Sequence, residues 1–322
     1  MITGAELLSV SGLKTWFPHG GVWRAAKRWI RAVDGVDLTL ERGETLAIVG
    51  ESGCGKTTLG RSLLRLIEPT AGTIRFGGVD LLALRGKQMR LIRRRMQIVF
   101  QDPFSSLSPR RRIGQIIGEA LRLHRVVAEN QVESRAAALL AEVGLESDFL
   151  YRYPHEMSGG QRQRVAIARA LSVEPDFLVA DEPVSALDVS VQAQILGLLQ
   201  AIHEKRAFAM IFISHDLTVV GRMAHRTAVM YGGKIVEITE TARLMSQPLH
   251  PYTRALLSSV PLPDPRLRMH RICLRGELPS AFAPPTGCAF LARCPEARDS
   301  CRSESPHLEA RQPGHSVTCH FG

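Results

Sequence analysis

The stretch Gly50-Glu51-Ser52-Gly53-Cys54-Gly55-Lys56-Thr57-Thr58 constrains this chain more than any other. It follows the apolar run Thr45-Leu46-Ala47-Ile48-Val49, which reads as a buried strand, and precedes a helical segment that Pro69 closes. Glycines at 50, 53 and 55 let the backbone wrap inward, so that successive N–H groups point at one place. The helix that follows adds roughly half a positive charge at its N-terminus. Strand, loop and helix together predict a phosphate-binding loop, in which Lys56 reaches the β- and γ-phosphates of a nucleotide and the Thr57 hydroxyl ligates Mg²⁺. A glycine-rich turn without those flanks would predict nothing of the kind.

A chain of 322 residues, 45% of them hydrophobic, can bury a full core and suggests one large domain with an appendage, or two domains. The net charge of +10 fits nucleic acid, an anionic membrane surface, nucleotide phosphates or a solvated basic face, and by itself chooses none of them. The densest basic run, Arg85 to Arg95, lacks the interleaved aromatics that stack on bases and reads as a solvated helix face. Residues 1–6 show no basic region followed by an apolar one, so no secretory signal is expected and the protein is placed in the cytoplasm. Ala207 to Ile213, the longest apolar run, is far below the roughly 18 to 20 residues that span a bilayer, so a membrane role would come through a partner.

Residues 7–17 and 33–49 carry strand patterns, with Glu41-Arg42-Gly43-Glu44 as the turn into the loop. Between them, Pro18 to Arg31 holds Gly20-Gly21, two tryptophans and four Lys/Arg residues, as a surface hairpin or an interfacial contact. Helical patterns dominate from Asp102 to about Val165. Phe177 to Ala180 and Met210 to Ile213 are short and apolar on both faces, as central strands of a covered parallel sheet are. Thr227 to Tyr231 and Lys234 to Ile238 flank Gly232-Gly233, a hairpin signal. From about Ser246 the composition shifts to Pro248, Pro251, Pro261, Pro263 and Pro265, followed by a group of cysteines, so a separate C-terminal element is expected.

Phe177-Leu178-Val179-Ala180-Asp181-Glu182 is a buried strand ending in two carboxylates, which sets both at the carboxyl edge of the sheet. Asp181 is suited to hold Mg²⁺ through water, and Glu182 to polarise an attacking water as general base. Met157-Ser158-Gly159-Gly160-Gln161 opens a further helix that Ser158 can cap while free N–H groups face an anion. A second phosphate-facing helix start makes sense if it completes a nucleotide site on another subunit, which points to a head-to-tail dimer.

On these residues the chain resembles the nucleotide-binding subunits of ATP-binding cassette (ABC) transporters. Gly50 to Thr57 matches their Walker A loop, Met157 to Gln161 the signature, with Met where Leu is usual, and Phe177 to Glu182 the Walker B strand. Gln101, after Met96 to Phe100, matches the Q-loop glutamine that senses γ-phosphate and Mg²⁺; Ser185 to Asp188 match the D-loop, and His215 the switch histidine. Phe17, with Trp16 as runner-up, matches the aromatic that stacks on adenine, against which stands an ordinary core aromatic. The resemblance implies an α/β P-loop NTPase cassette core with an antiparallel β subdomain and a helical signature subdomain. It assigns residues 1–245 to the ATPase domain, with the helical part at about 102–165, and 246–322 to a small cysteine-containing C-terminal extension. It further implies that ATP and Mg²⁺ are bound by Gly50 to Thr58, Gln101, Asp181 and His215, that Ser158, Gly159, Gly160 and Gln161 serve a partner's ATP, that Asp188 belongs to the D-loop, and that Glu182, His215 and Gln101 are catalytic.

Cys288, Cys294, Cys301 and Cys319 remain. Disulfides are not expected without an export signal. The spacing fits neither a common zinc knuckle nor a compact ferredoxin run and leaves the metal open. Four small hydrophobes in a core are the third reading. His250-Pro251-Tyr252-Thr253-Arg254-Ala255-Leu256-Leu257 resembles the extension of the oligopeptide and dipeptide subfamily, where similarly placed cysteines bind a [4Fe-4S] cluster; zinc is the alternative. That subfamily implies an importer ATPase at the cytoplasmic face of the inner membrane, with two permeases, a second and different ATPase subunit, and an extracytoplasmic binding protein. The competing function is a soluble cassette ATPase acting on nucleic acid or ribosomes, but such relatives usually carry two cassettes or a long coiled-coil insert, and this chain shows one cassette and neither.

Overall fold

The computed structural model describes residues 6–19, 28–102, 106–260, 272–274, 276, 279, 282 and 286–322. Gly20, Gly21 and Trp23 of the 18–31 insertion, and Pro261, Pro263 and Pro265, lie outside them. The chain divides into two compact units. One comprises Arg42–Glu44 and Leu84–Ile211, the other Glu6–Glu41, Thr45–Ala83 and Phe212–Gly322.

In the second unit, β1 (Glu6–His19) and β2 (Arg28–Glu41) form a long antiparallel pair, joined on the other side of β1 by β4 (Ala71–Phe76) and β5 (Val79–Asp80) in the order β2-β1-β4-β5. The pairing runs out to His19 opposite Arg28, so the described residues at the two ends of the 18–31 insertion are paired antiparallel. β3 (Thr45–Val49), buried at all five residues, lies parallel to β9 (Arg226–Tyr231). β10 (Lys234–Glu240) returns antiparallel to β9 across Gly232-Gly233, both at positive φ, 54° and 83°, as a tight turn requires.

The C-terminal segment adds to this sheet. β12 (His315–Val317) pairs with β10, and β11 (Glu309–Gln312) with β12, giving the order β11-β12-β10-β9-β3. The attachment has a buried polar core. Glu237 and His315, both fully buried, meet at 2.7 Å, and the Glu237 carboxylate also accepts from the backbone N–H groups of Leu249 and His250 at 2.8 and 2.9 Å. A buried carboxylate with this many donors is stable where a lone one would be costly.

The first unit holds β6 (Met96–Val99) parallel to β7 (Phe177–Asp181), and its boundary falls within β8 (Ala209–Ile213). Its helices are α2 (Gly86–Arg95), α3 (Ile113–Leu123), α4 (Val132–Glu142), α5 (Gly159–Leu171) and α6 (Val189–Arg206). α3 buries Ile113, Ile116, Ile117 and Leu121 and α4 buries Val132, Ala136, Leu139 and Leu140, the spacing of one apolar stripe on each. Each buried Ile, Leu or Val contributes about 1.5–3 kcal/mol, which is what holds the helical region between residues 102 and 165 together. α2 buries Met89 and turns Lys87, Arg90 and Arg93 outward, as the run Arg85 to Arg95 predicts, while Arg94 and Arg95 are half-buried and Arg95 pairs with Asp176. No helix among the described residues is long and apolar enough to cross a membrane.

Candidate functional site

In the second unit the loop after β3 enters α1 (Lys56–Leu63) through Gly55, which sits at φ 108°. A Cβ at Gly55 would drive into the carbonyl oxygen of Ala32, and one at Gly50, φ 152°, into that of Met230. Both positions therefore need glycine on conformational and steric grounds. Lys56 is 5% exposed, and its ammonium donates to the carbonyl oxygens of Gly50 at 2.8 Å and Glu51 at 3.0 Å. The cation thus curls the loop about itself. Cys54 is buried and its thiol pushed up by burial, while its carbonyl accepts from Gly233 at 3.0 Å. Ser52 and Gly53 are exposed, and Thr57 and Thr58 half-buried, at the loop's open side.

His215 follows β8, exposed, and Ser214 before it donates through its N–H to Ile48 at 3.2 Å. His215 lines a cavity of about 670 Å³ with Gly50, Glu51, Thr218, Leu256 and Val260. This brings the sequence-predicted histidine to the phosphate loop. Phe17 is half-buried on β1, opposite Ile30, and does not line that cavity. Trp16 beside it donates its indole N–H to Asp34 at 3.2 Å and lies under the guanidinium of Arg31.

In the first unit Asp181 ends β7 at 1% exposure, and Glu182 follows half-buried. Glu182 adopts φ 47°, a left-handed backbone costing about 1–3 kcal/mol for a non-glycine residue. The Gln101 amide donates to the Glu182 carboxylate at 3.3 Å. Two residues 81 positions apart, each singled out by its motif, are thereby joined. Ser185 donates to the Glu182 carbonyl through both N–H and hydroxyl, at 3.3 and 3.2 Å, and the turn leads to Asp188 at the start of α6.

Ser158 caps α5: Gln161 N–H donates to Ser158 Oγ at 3.3 Å, and Ser158 N–H to Gln161 Oε1 at 3.0 Å. Gly159 lies against Leu187 and Gly160 against Val191 in the first turn of α6. Met157, in the place usually held by Leu, is buried.

Cys288, Cys294, Cys301 and Cys319 are all free thiols in the second unit, Cys301 buried and the others half-buried. Cys288 N–H donates to the Cys301 carbonyl at 2.8 Å. Burial pushes the Cys288 and Cys294 thiols up; neighbouring Cys301 and Cys319 add to this at Cys288, and Cys288 and Cys319 at Cys294. Four thiols within electrostatic reach match the donor chemistry of a thiolate-bound cluster. Among the described residues, however, no group of three or more His, Cys, Asp or Glu side chains is spaced to hold a single metal ion.

Two residues here were given no role by the sequence: Tyr252, within the stretch His250 to Leu257, and Arg293, outside every motif. Tyr252, in α9 (Pro251–Leu257), accepts the Glu51 N–H on its hydroxyl at 2.9 Å, and Arg293 donates to both Glu51 carboxylate oxygens at 2.8 and 3.0 Å. Nothing local ties either of them to Glu51. They lie 201 and 242 residues from Glu51.

Residues 33–185 match the family model of the ABC transporters, and residues 236–301 that of the oligopeptide/dipeptide transporter C-terminal region. The chain is 50% identical over 318 residues to the putative oligopeptide transport ATP-binding protein YkfD of Bacillus subtilis, covering 98% of this chain and 95% of that one. A putative peptide import ATP-binding protein of Brucella ovis is equally similar, at 50% over 318 residues with 99% and 98% coverage. Among solved structures, the dimeric post-hydrolysis state of the cassette MJ0796 bound to ADP and Pi superposes with TM-score 0.65 at 28% identity, covering 73% of this chain and 99% of that one. The protein cbiO1 of Clostridium perfringens, part of the ABC transporter complex cbiONQ, gives 0.64 at 27%, covering 75% and 91%.

Proposed function

Because the chain belongs to the ABC transporter family, in its oligopeptide and dipeptide branch, we propose that Gly50 to Thr58 bind MgATP and that Glu182 activates the water that cleaves it. The protein is the ATP-binding and ATP-hydrolysing subunit of a peptide-type ABC importer. Lys56 would serve the β- and γ-phosphates, Thr57 and Asp181 the Mg²⁺, and His215 and Gln101 the γ-phosphate end. The observation that carries the hydrolytic reading is the hydrogen bond from Gln101 to Glu182, which orients the carboxylate proposed as the base. In the assembled transporter, Glu182→Gln should lower turnover by about 10²- to 10⁴-fold and leave MgATP binding in place. Hydrolysis at the wild-type rate would overturn the assignment.

Ser158 to Gln161 with Asp188 would address the ATP held by a second, non-identical ATPase subunit, closing head-to-tail. Closure would drive two permease subunits at the cytoplasmic face of the inner membrane, served by an extracytoplasmic binding protein. Residues 1–245 would be the ATPase domain and 246–322 the extension, and Phe17 the adenine contact. For the four cysteines the proposal is a [4Fe-4S] cluster, supported by a donor set of four free thiols, of which Cys288, Cys294 and Cys301 fall within the matched C-terminal region. Visible absorption and iron after anaerobic purification would bear this out, and zinc without iron would replace it.

A further inference from the structure

Glu51 is held at three of its groups. Its carbonyl accepts from Lys56, its N–H donates to Tyr252, and its carboxylate takes the bidentate fork of Arg293. Two of these holders come from the C-terminal segment. Arg293 closes the short helical turn Leu291–Arg293 between Cys288 and Cys294, and its side chain is 7% exposed. Tyr252 is fully buried, and Tyr231, Tyr252 and Phe290 pack ring against ring at 4.6, 5.2 and 5.5 Å. The two grips therefore stand on one rigid aromatic floor. Leu256, Ser259 and Val260 of the same segment line the cavity shared by Gly50, Glu51 and His215.

A carboxylate in a loop that receives polyphosphate carries the wrong charge, and repulsion between like charges grows as water is excluded. A planar guanidinium bound to both oxygens cancels that charge and fixes the side chain's direction. The hydrogen bonds that Arg293 donates to Glu51 in turn raise the pKa of its guanidinium. From the position of these groups we infer that Arg293 and Tyr252 position Glu51 so that the phosphate loop accepts nucleotide, making the C-terminal segment a determinant of nucleotide affinity. The inference rests on the reading of Gly50 to Thr58 as the MgATP loop. Arg293 and Tyr252 are positioning residues, acting through Glu51.

The test is a double-mutant cycle on the full chain, titrated calorimetrically with MgATP and with MgADP. Arg293→Met should weaken MgATP binding about 10-fold, which is about 1.4 kcal/mol, and MgADP binding less, because one phosphate charge fewer is repelled. In a Glu51→Gln background, where no charge remains to be cancelled, the same substitution should cost no more than about 2-fold. Tyr252→Phe should weaken MgATP about 3-fold through the freed Glu51 N–H. Arg293→Gln, which also removes the charge and keeps a polar side chain, carries the same cycle if Arg293→Met does not fold. An equal loss in both backgrounds, or no loss with Arg293→Met, overturns the inference. A wild-type chain that binds no nucleotide overturns instead the reading on which it rests.

Discussion

α1 and α5 both begin where an anion is expected, and they begin in opposite ways. α1 starts at a left-handed glycine with no side-chain cap, behind a loop that cannot accept a Cβ at Gly50 or Gly55. α5 starts at Ser158, which exchanges hydrogen bonds with Gln161 in a closed capping box. A capped start meets part of its own donor requirement and is stable as a helix whether or not a ligand arrives. An uncapped start leaves those donors to the ligand. The difference matches the proposed division of work, with α1 holding its own subunit's nucleotide and α5 ready to meet one presented by a partner.

The sharpest way to break this contrast is to make the same substitution on each side of it. Gly50→Ala should destabilise the second unit by about 3 kcal/mol or more, since φ 152° and a backbone carbonyl both oppose the new methyl, and calorimetric unfolding would read it. Gly160→Ala meets only the Val191 side chain and should cost about 1 kcal/mol, with MgATP binding by the isolated chain retained. Equal costs would remove the distinction. Next in size, Lys56→Ala should weaken MgATP binding by about 10², since it removes a charge-assisted contact and leaves the Gly50 and Glu51 carbonyls without their donor.

A third helix start sharpens the comparison through pH. His250 caps α9 by accepting the Tyr252 N–H on Nδ1 at 3.0 Å, and burial pushes its pKa down to about 3, with Arg254 adding to the effect. A histidine held below its unfolded value of 6.5 must be neutral to stay buried, so the unfolded state binds the proton first. Stability from this group is present above about pH 6.5 and should fall by up to about 1.4 kcal/mol per pH unit as the pH drops toward 3. His250→Asn keeps a capping side chain and removes the titration, so its denaturant midpoint should fall less steeply between pH 6 and pH 4 than that of the wild type. The smallest effect is expected from Ser158→Ala, about 1 kcal/mol of thermal stability in the first unit.

Much of this was legible in the order of residues because the elements concerned are local. Five consecutive buried residues in β3 and in β7, the glycines after β3 and the carboxylates after β7 are patterns within a few positions of one another. The Gly232-Gly233 turn was readable for the same reason. The left-handed backbone of Glu182 left no trace in composition, since nothing marks a glutamate for that region. The four cysteines could be singled out by type and spacing, yet their spacing in the chain says nothing of sulfur positions in space. The C-terminal segment read as a separate element by its prolines, while its strands β11 and β12 join the sheet of the phosphate loop through Glu237 and His315.

By itself the sequence determined the glycine loop between strand and helix, the order of motifs behind it and the family to which the chain belongs, because each depends on neighbours in the chain and on backbone conformations few residues permit. Only the tertiary structure decided which distant groups meet: Gln101 on Glu182, His215 on the loop's cavity, Tyr252 and Arg293 on Glu51. Side-chain contacts across 81 to 242 residues follow from strand order and packing, which no local spacing encodes.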